Sequence, residues 1–175
     1  MGAIRAKLMQ ANAGYAKGVN KSILCDLTEN GQHPYAVVVC CSDSRVVPEQ
    51  VFGASLGDLF VIRVAGNVLD DHQIGSIEYA VEHLHCRYVL VLGHTSCGAV
   101  GAALSGGAGG FTKTITDEIL KAVGDERDPY RASCLNAEYA VKRLKEVFAG
   151  DADLAIEAAM YDIKTGCVKW LGAEA

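Results

Sequence analysis

Two stretches carry the residue types that could do chemistry: Cys41-Ser42-Asp43-Ser44-Arg45 and His94-Thr95-Ser96-Cys97-Gly98. Cys41, His94 and Cys97 together offer two thiolates and one imidazole. Sulfur with nitrogen selects zinc over magnesium or calcium. Catalytic zinc sites use three protein ligands and keep a fourth position open. His94 and Cys97 lie three residues apart, at a point where a strand turns into a helix, so both side chains can converge on one ion. Cys41 would arrive from a neighbouring strand. Cys40 competes with it, but adjacent strand residues point to opposite faces. Cys41, at the strand end nearest the crevice, is the expected ligand, with Cys40 packed as a small hydrophobe. The same spacing also fits buried thiols without a metal. It fits equally a closed, structural zinc site with Asp43 as fourth ligand.

Asp43 and Arg45 are two residues apart on the loop that leaves the first strand. An arginine and a carboxylate can pair through two parallel bonds, which fixes geometry as well as charge. At a surface such a pair contributes at most about 1 kcal/mol. In a catalytic site Arg45 would hold Asp43 off the metal and aim its oxygen at a metal-bound water.

These residues need a scaffold that brings positions about fifty apart into one crevice. Each motif follows a short apolar run, Ala36-Val37-Val38-Val39-Cys40 and Tyr88-Val89-Leu90-Val91-Leu92, and each precedes a helical pattern. Short apolar strands alternating with helices predict an α/β fold around a parallel sheet. In such sheets ligands bind beyond the carboxyl ends of the strands. Strands are expected over 35–40, 59–64, 87–92 and 154–161, with a return strand over 167–171. Helices are expected over 4–15, 20–29, 48–52, 71–85 and 131–148, with a short one starting near Ser96 and another through Ile115, Ile119 and Val123. Four glycines within 105–110 read as a connector, since the Lys and Ser/Thr of a phosphate-binding loop are missing.

The 175 residues suit one core, and half of them are hydrophobic. A net charge of −5 without a basic stripe argues against nucleic-acid binding. No apolar run is long enough to span a membrane, and the first residues lack the apolar region of a signal peptide. Seven cysteines, an odd number without regular spacing, fit a reducing cytoplasm and metal-binding or buried thiols. Thiol redox chemistry at Cys40-Cys41 ranks last, because no C-x-x-C is present.

Cys41-x-Asp43-x-Arg45 with His94-x-x-Cys97-Gly98 resembles the β-class carbonic anhydrases. So do Pro48, the run from Gly57 to Asn67, Ser76-Ile77-Glu78-Tyr79-Ala80-Val81 and Tyr161-Asp162-x-x-Thr165-Gly166. The resemblance is close over 31–104 and looser elsewhere. It implies Cys41, His94 and Cys97 as ligands of one Zn2+ per chain and Asp43 and Arg45 as a catalytic dyad. Gln32, within Gly31-Gln32-x-Pro34, would orient the substrate, as in the plant-like, open-site subgroup. Phe60 and Tyr79 would line the pocket, partly from a partner subunit. Gly98 would place a backbone amide at the ligand on zinc.

The implied fold is a single domain over 1–175, with a helical arm (1–30) that packs on a partner subunit and a zinc-binding α/β core (31–175). The implied assembly is a homodimer or a multiple of it. The implied reaction is reversible hydration of CO2 to bicarbonate and a proton by attack of a zinc-bound hydroxide. Carbonyl sulfide or carbon disulfide hydrolysis on the same fold is the alternative. The Trp–Arg–Tyr set of the bicarbonate-regulated subgroup is not seen, and 105–133 match no family pattern. His33 and His72 are the only histidines offered as proton shuttles, and both read as surface residues.

Overall fold

The computed structural model describes residues 2–172. The chain divides into two compact units, Met1–Gln32 and His33–Ala175. The first holds two helices. α1 spans Gly2–Gly18 and has no buried residue, so Ile4, Leu8 and Tyr15, the apolar stripe expected there, are exposed. α2 spans Lys21–Glu29. Asn20 caps it, its Oδ1 accepting from the Ser22 amide at 3.0 Å and meeting one of the donors that a helix start leaves open.

The second unit is a five-stranded sheet with helices. Its strands are β1 (Ala36–Cys40), β2 (Leu59–Arg63), β3 (Tyr88–His94), β4 (Ala155–Tyr161) and β5 (Val168–Trp170), in the order β2-β1-β3-β4-β5. The first four in that order run parallel, and β5 closes the edge antiparallel to β4. A strand flanked by parallel neighbours and covered on both faces reads as a continuous apolar run, and all five residues of β1 are buried.

The helices are α3 (Pro48–Val51), α4 (Asp71–His83), α5 (Gly98–Leu104), α6 (Thr112–Val123) and α7 (Pro129–Val147). Strand alternation divides the core. Val37, Val39, Val89 and Val91 pack with Ile77 and Val81 of α4 and Ala137 and Leu144 of α7. Val38, Cys40, Leu90 and Leu92 face the other way, against Val46 and Phe52. A third cluster joins Cys41 and Cys97 to Val100, Ile119 and Ala132 of α5, α6 and α7. Among the described residues no helix is long and apolar enough to cross a membrane.

Two boundaries differ from the sequence reading in ways that matter for the site. β3 continues to His94 instead of stopping at Leu92, because Gly93 and His94 pair with Met160 and Tyr161 of β4. α5 begins at Gly98, not near Ser96, because Ser96 takes a left-handed backbone (φ 55°) that no helix continues. α7 also starts earlier, at Pro129, where the Asp128 carboxylate accepts from the Arg131 amide at 2.7 Å.

Candidate metal centre

Cys41 is the first residue past β1, His94 the last of β3, and Cys97 the N-cap of α5. β1 and β3 are paired neighbours, with Cys40 opposite Leu92. Their carboxyl ends therefore deliver Cys41 and His94 to the same level, and the turn after β3 brings Cys97 back beside them. The ligand atoms of the three residues lie within 4.8 Å of one another. Cys41 is 5%, His94 1% and Cys97 7% exposed. Cys40 packs on the opposite face, where burial pushes its thiol up to about 12.

The imidazole of His94 is oriented from behind. Its Nδ1 lies 2.9 Å from the Thr95 carbonyl. A carbonyl only accepts, so Nδ1 carries the hydrogen and Nε2 presents a lone pair. That Nε2 is buried and has no hydrogen-bond partner. An orphaned buried nitrogen costs about 1–3 kcal/mol. With two sulfurs close by, a metal ion is the partner this chemistry fits, and a carbonyl on the far ring nitrogen is the usual companion of a ligating histidine.

The two sulfurs are not equivalent. The Cys97 thiol, the His94 ring and the Gly66 amide at 3.2 Å hold the Cys41 thiol well below the usual range. Cys97 moves up, since it is the donor toward Cys41 and is buried. His94 feels burial, which disfavours its charged form, but the neighbouring Cys41 thiolate outweighs it and the ring is raised. The centre is thus poised to carry negative charge on sulfur, the form in which cysteine binds metal.

Asp43 sits on the loop beyond Cys41. Arg45 Nε donates to its Oδ1 at 2.9 Å and Arg45 Nη2 to its Oδ2 at 2.7 Å. This pairing holds the carboxylate far below its ordinary pKa. Arg45 Nη2 also donates to the Ser96 carbonyl at 3.2 Å, tying the loop after β1 to the loop after β3. With both Asp43 oxygens on Arg45, the ligand group is the three-residue set.

Two of the other candidates lie outside this group. Phe60 on β2 packs against the α4/α7 side of the core and pairs with Tyr79 at 6.4 Å between ring centroids. Neither joins the cluster that holds Cys41 and Cys97. Gly98 is the first residue of α5 and is exposed. Gln32 ends the N-terminal unit and is exposed. His33 is exposed, and the His72 side chain is 95% exposed.

Three residues at the centre escaped the sequence reading. Arg63 Nε donates to the Cys41 carbonyl at 3.2 Å and Nη2 to the Asp43 carbonyl at 2.7 Å, clamping the loop backbone. Gly66 supplies its amide to Cys41 Sγ, and Asn136 holds the Gly66 carbonyl. Arg63 and Gly66 lay in the run from Gly57 to Asn67 without a role assigned to them, and Asn136 left no trace.

A family model described as "Carbonic anhydrase" matches residues 36–168. One of two tetrameric β-carbonic anhydrases from Sordaria macrospora superposes with a TM-score of 0.83 at 30% identity, covering 99% of this chain and 98% of that one. The β-carbonic anhydrase CafA of Aspergillus fumigatus gives 0.82 at 27% identity, covering 99% and 92%. Carbonic anhydrase 2 of Mycobacterium tuberculosis is 47% identical over 98 residues, 53% of this chain and 47% of its own length. The chain thus spans about half the length of the curated relatives it matches. The matched span contains all three metal-type ligands and both strands that deliver them, and the chain belongs to the carbonic anhydrase family, in its β class.

Proposed function

We propose that the chain catalyses the reversible hydration of CO2 to bicarbonate and a proton, with Zn2+ held by Cys41 Sγ, His94 Nε2 and Cys97 Sγ. The observation that carries this is the convergence of two cysteine sulfurs on a buried histidine nitrogen that has no other partner. When bound there, zinc supplies Lewis acidity that makes water nucleophilic near neutral pH.

The chain's own residues then have distinct tasks. Asp43 Oδ atoms each keep a lone pair beyond their bond to Arg45, so the carboxylate accepts a hydrogen bond from the attacking water and fixes its orientation. Arg45 keeps that carboxylate off the metal. Gln32 donates a side-chain N–H to a substrate oxygen as negative charge develops there, an electrostatic role. The Gly98 backbone amide would lie at the ligand held on zinc. Phe60 and Tyr79 form an apolar wall for CO2 once a second subunit completes the pocket. A homodimer or a multiple of it follows from that requirement, and a relative described as tetrameric supports it. Glutamine at 32 favours the plant-like, open-site form. Seven free thiols suit the reducing cytoplasm.

Stopped-flow CO2 hydration on zinc-quantified protein, from about pH 6.5 to 9 to bracket a water titrating at or above about 7, tests the reading. Turnover with one zinc per chain is expected. A zinc-loaded protein inert across that range would exclude CO2 and direct the assay to carbonyl sulfide and carbon disulfide.

A further inference from the structure

Gly66 stands between Cys41 and a residue outside both chemical motifs. Its amide donates to Cys41 Sγ at 3.2 Å. Its carbonyl accepts from Asn136 Nδ2 at 2.7 Å. Asn136 lies on α7, 70 positions along the chain, and is 3% exposed. Between the two, Gly66 holds a left-handed backbone (φ 69°, ψ 14°) inside a tight turn, Ala65–Asn67. The backbone strains any other residue there, and a Cβ would lie 2.8 Å from Ile119 Cδ1 and 3.1 Å from Ala99 Cβ.

The turn is buried among its neighbours, but few hydrogen bonds set its backbone. One backbone bond, from the Asn67 amide to the Val64 carbonyl at 2.9 Å, closes it. Glycine rotates more freely than any other residue, so that bond alone leaves the direction of the Gly66 amide loosely set. Asn136 fixes the following peptide plane from a rigid helix of 19 residues. Holding that plane restricts the turn on the ψ side of Gly66, and with φ at 69° the amide of the preceding plane points at the sulfur. A hydrogen bond to a thiolate withdraws charge from it and locates it, and outer-shell partners of this kind typically change metal affinity about 10–100-fold when removed.

We propose that Asn136 is a positioning residue for the metal centre: by holding the Gly66 carbonyl it aims the Gly66 amide at Cys41 Sγ, and so sets the place and donor strength of that sulfur as a ligand. The proposal rests on the metal reading above. The bland competitor is a buried asparagine that only fastens α7 to the turn.

Ser133 separates the two. It is as buried as Asn136 and lies on the same helix, but its hydroxyl donates to the Pro129 carbonyl at 2.8 Å, away from Gly66. Asn136→Ala, Asn136→Ser and Ser133→Ala would be compared with the unchanged chain. Asn136→Ser is included in case the alanine variant does not fold. A helical serine can bond the carbonyl one turn back, so it leaves no orphaned group while losing the reach to Gly66. Two readouts are taken: Gly66 amide hydrogen exchange on metal-free protein, and zinc affinity by chelator competition together with the sulfur-to-metal charge-transfer band of the Co2+ form.

The proposal expects faster Gly66 exchange, zinc affinity weaker by about 10–100-fold and a shifted band in the Asn136 variants, with none of these in Ser133→Ala. Unchanged Gly66 exchange in the folded Asn136 variants overturns it, as does unchanged affinity with an unmoved band. If the unchanged chain binds neither zinc nor Co2+, the metal reading fails, and Gly66 exchange alone decides whether Asn136 aims the amide.

Discussion

Arg45 grips Asp43 through two separate nitrogens, Nε on Oδ1 and Nη2 on Oδ2, and spends a further bond of the same Nη2 on the carbonyl of Ser96. One side chain therefore fixes the carboxylate and also joins the two loops that carry Cys41 and Cys97. Lysine cannot reproduce this, since it is a point charge without a planar fork. Asp43→Asn and Arg45→Lys should both keep zinc. Replacing the carboxylate by an amide should lower CO2 hydration by about 10²-fold or more, the low end of what a positioned acid–base group contributes. Arg45→Lys should fall between. Stopped-flow rates on variants of equal zinc content decide it. An Asp43→Ala protein as fast as the unchanged chain would remove the carboxylate from the mechanism.

The pH dependence separates Asp43 from the metal. Its folded-state pKa is depressed, first by the hydrogen bond from Arg45. A depressed carboxylate binds fewer protons folded than unfolded, so its stabilisation is full above the unfolded value of about 3.9. It is lost as pH falls through the folded value. From pH 6.5 to 9, the proposed assay window, the carboxylate stays ionised, so no change of rate there comes from it. Two thiolates neutralise more of the metal's charge than neutral histidines do. The rate should therefore rise with its midpoint above the value near 7 of a histidine-ligated zinc site, and Asp43→Asn should lower the plateau without moving the midpoint.

Cys40 and Cys41 are neighbours in sequence with opposite fates, and substitution should show it. Cys41→Ser, Cys97→Ser and His94→Ala each remove a ligand and should leave the protein without stoichiometric zinc after dialysis. Cys40→Ser should keep its zinc. It should instead lose about 1–3 kcal/mol, the cost of an unpaired hydroxyl at a fully buried position, read by urea unfolding. Zinc loss on Cys40→Ser with no change on Cys41→Ser would reverse the assignment.

Much of this was legible in the chain. Strands β1 and β3 show as apolar runs because both of their faces are covered, and strand alternation together with the position of the strand end assigns Cys40 to packing and Cys41 to the site. The three ligands were readable because thiol and imidazole chemistry is local to the residue. The outer shell was not. Asn136 reaches the Gly66 carbonyl from 70 positions away, and neither that pairing nor the amide Gly66 gives to Cys41 can be read from local sequence. The end of β3 was missed because its last two residues, a glycine and a histidine, are poor strand formers that tertiary pairing with β4 overrides. Phe60 and Tyr79 were expected at the pocket, yet in one chain they pair with each other. Their proposed role depends on a second subunit, which no single-chain pattern records.

Gly93 is where that override becomes measurable. It precedes His94 at the end of β3, opposite Met160 of β4. A Cβ added at Gly93 would lie 2.6 Å from Met160 Sδ, while Ala137 Cβ and the Ser133 carbonyl of α7 stand at 3.5 Å, ordinary contact. The sulfur is thus the single obstacle. Gly93→Ala should destabilise by about 1–3 kcal/mol, as overpacking does. In a domain of this size that is roughly 2–4 °C of melting temperature per kcal/mol. If Met160 is the cause, Gly93→Ala combined with Met160→Ala should be less damaging than the sum of the two by about 0.5–3 kcal/mol, because the clash is absent when the sulfur is gone. Strict additivity would place the strain in the β3 backbone instead. His94 would then shift with it, and zinc affinity should fall in Gly93→Ala and fail to recover in the double variant.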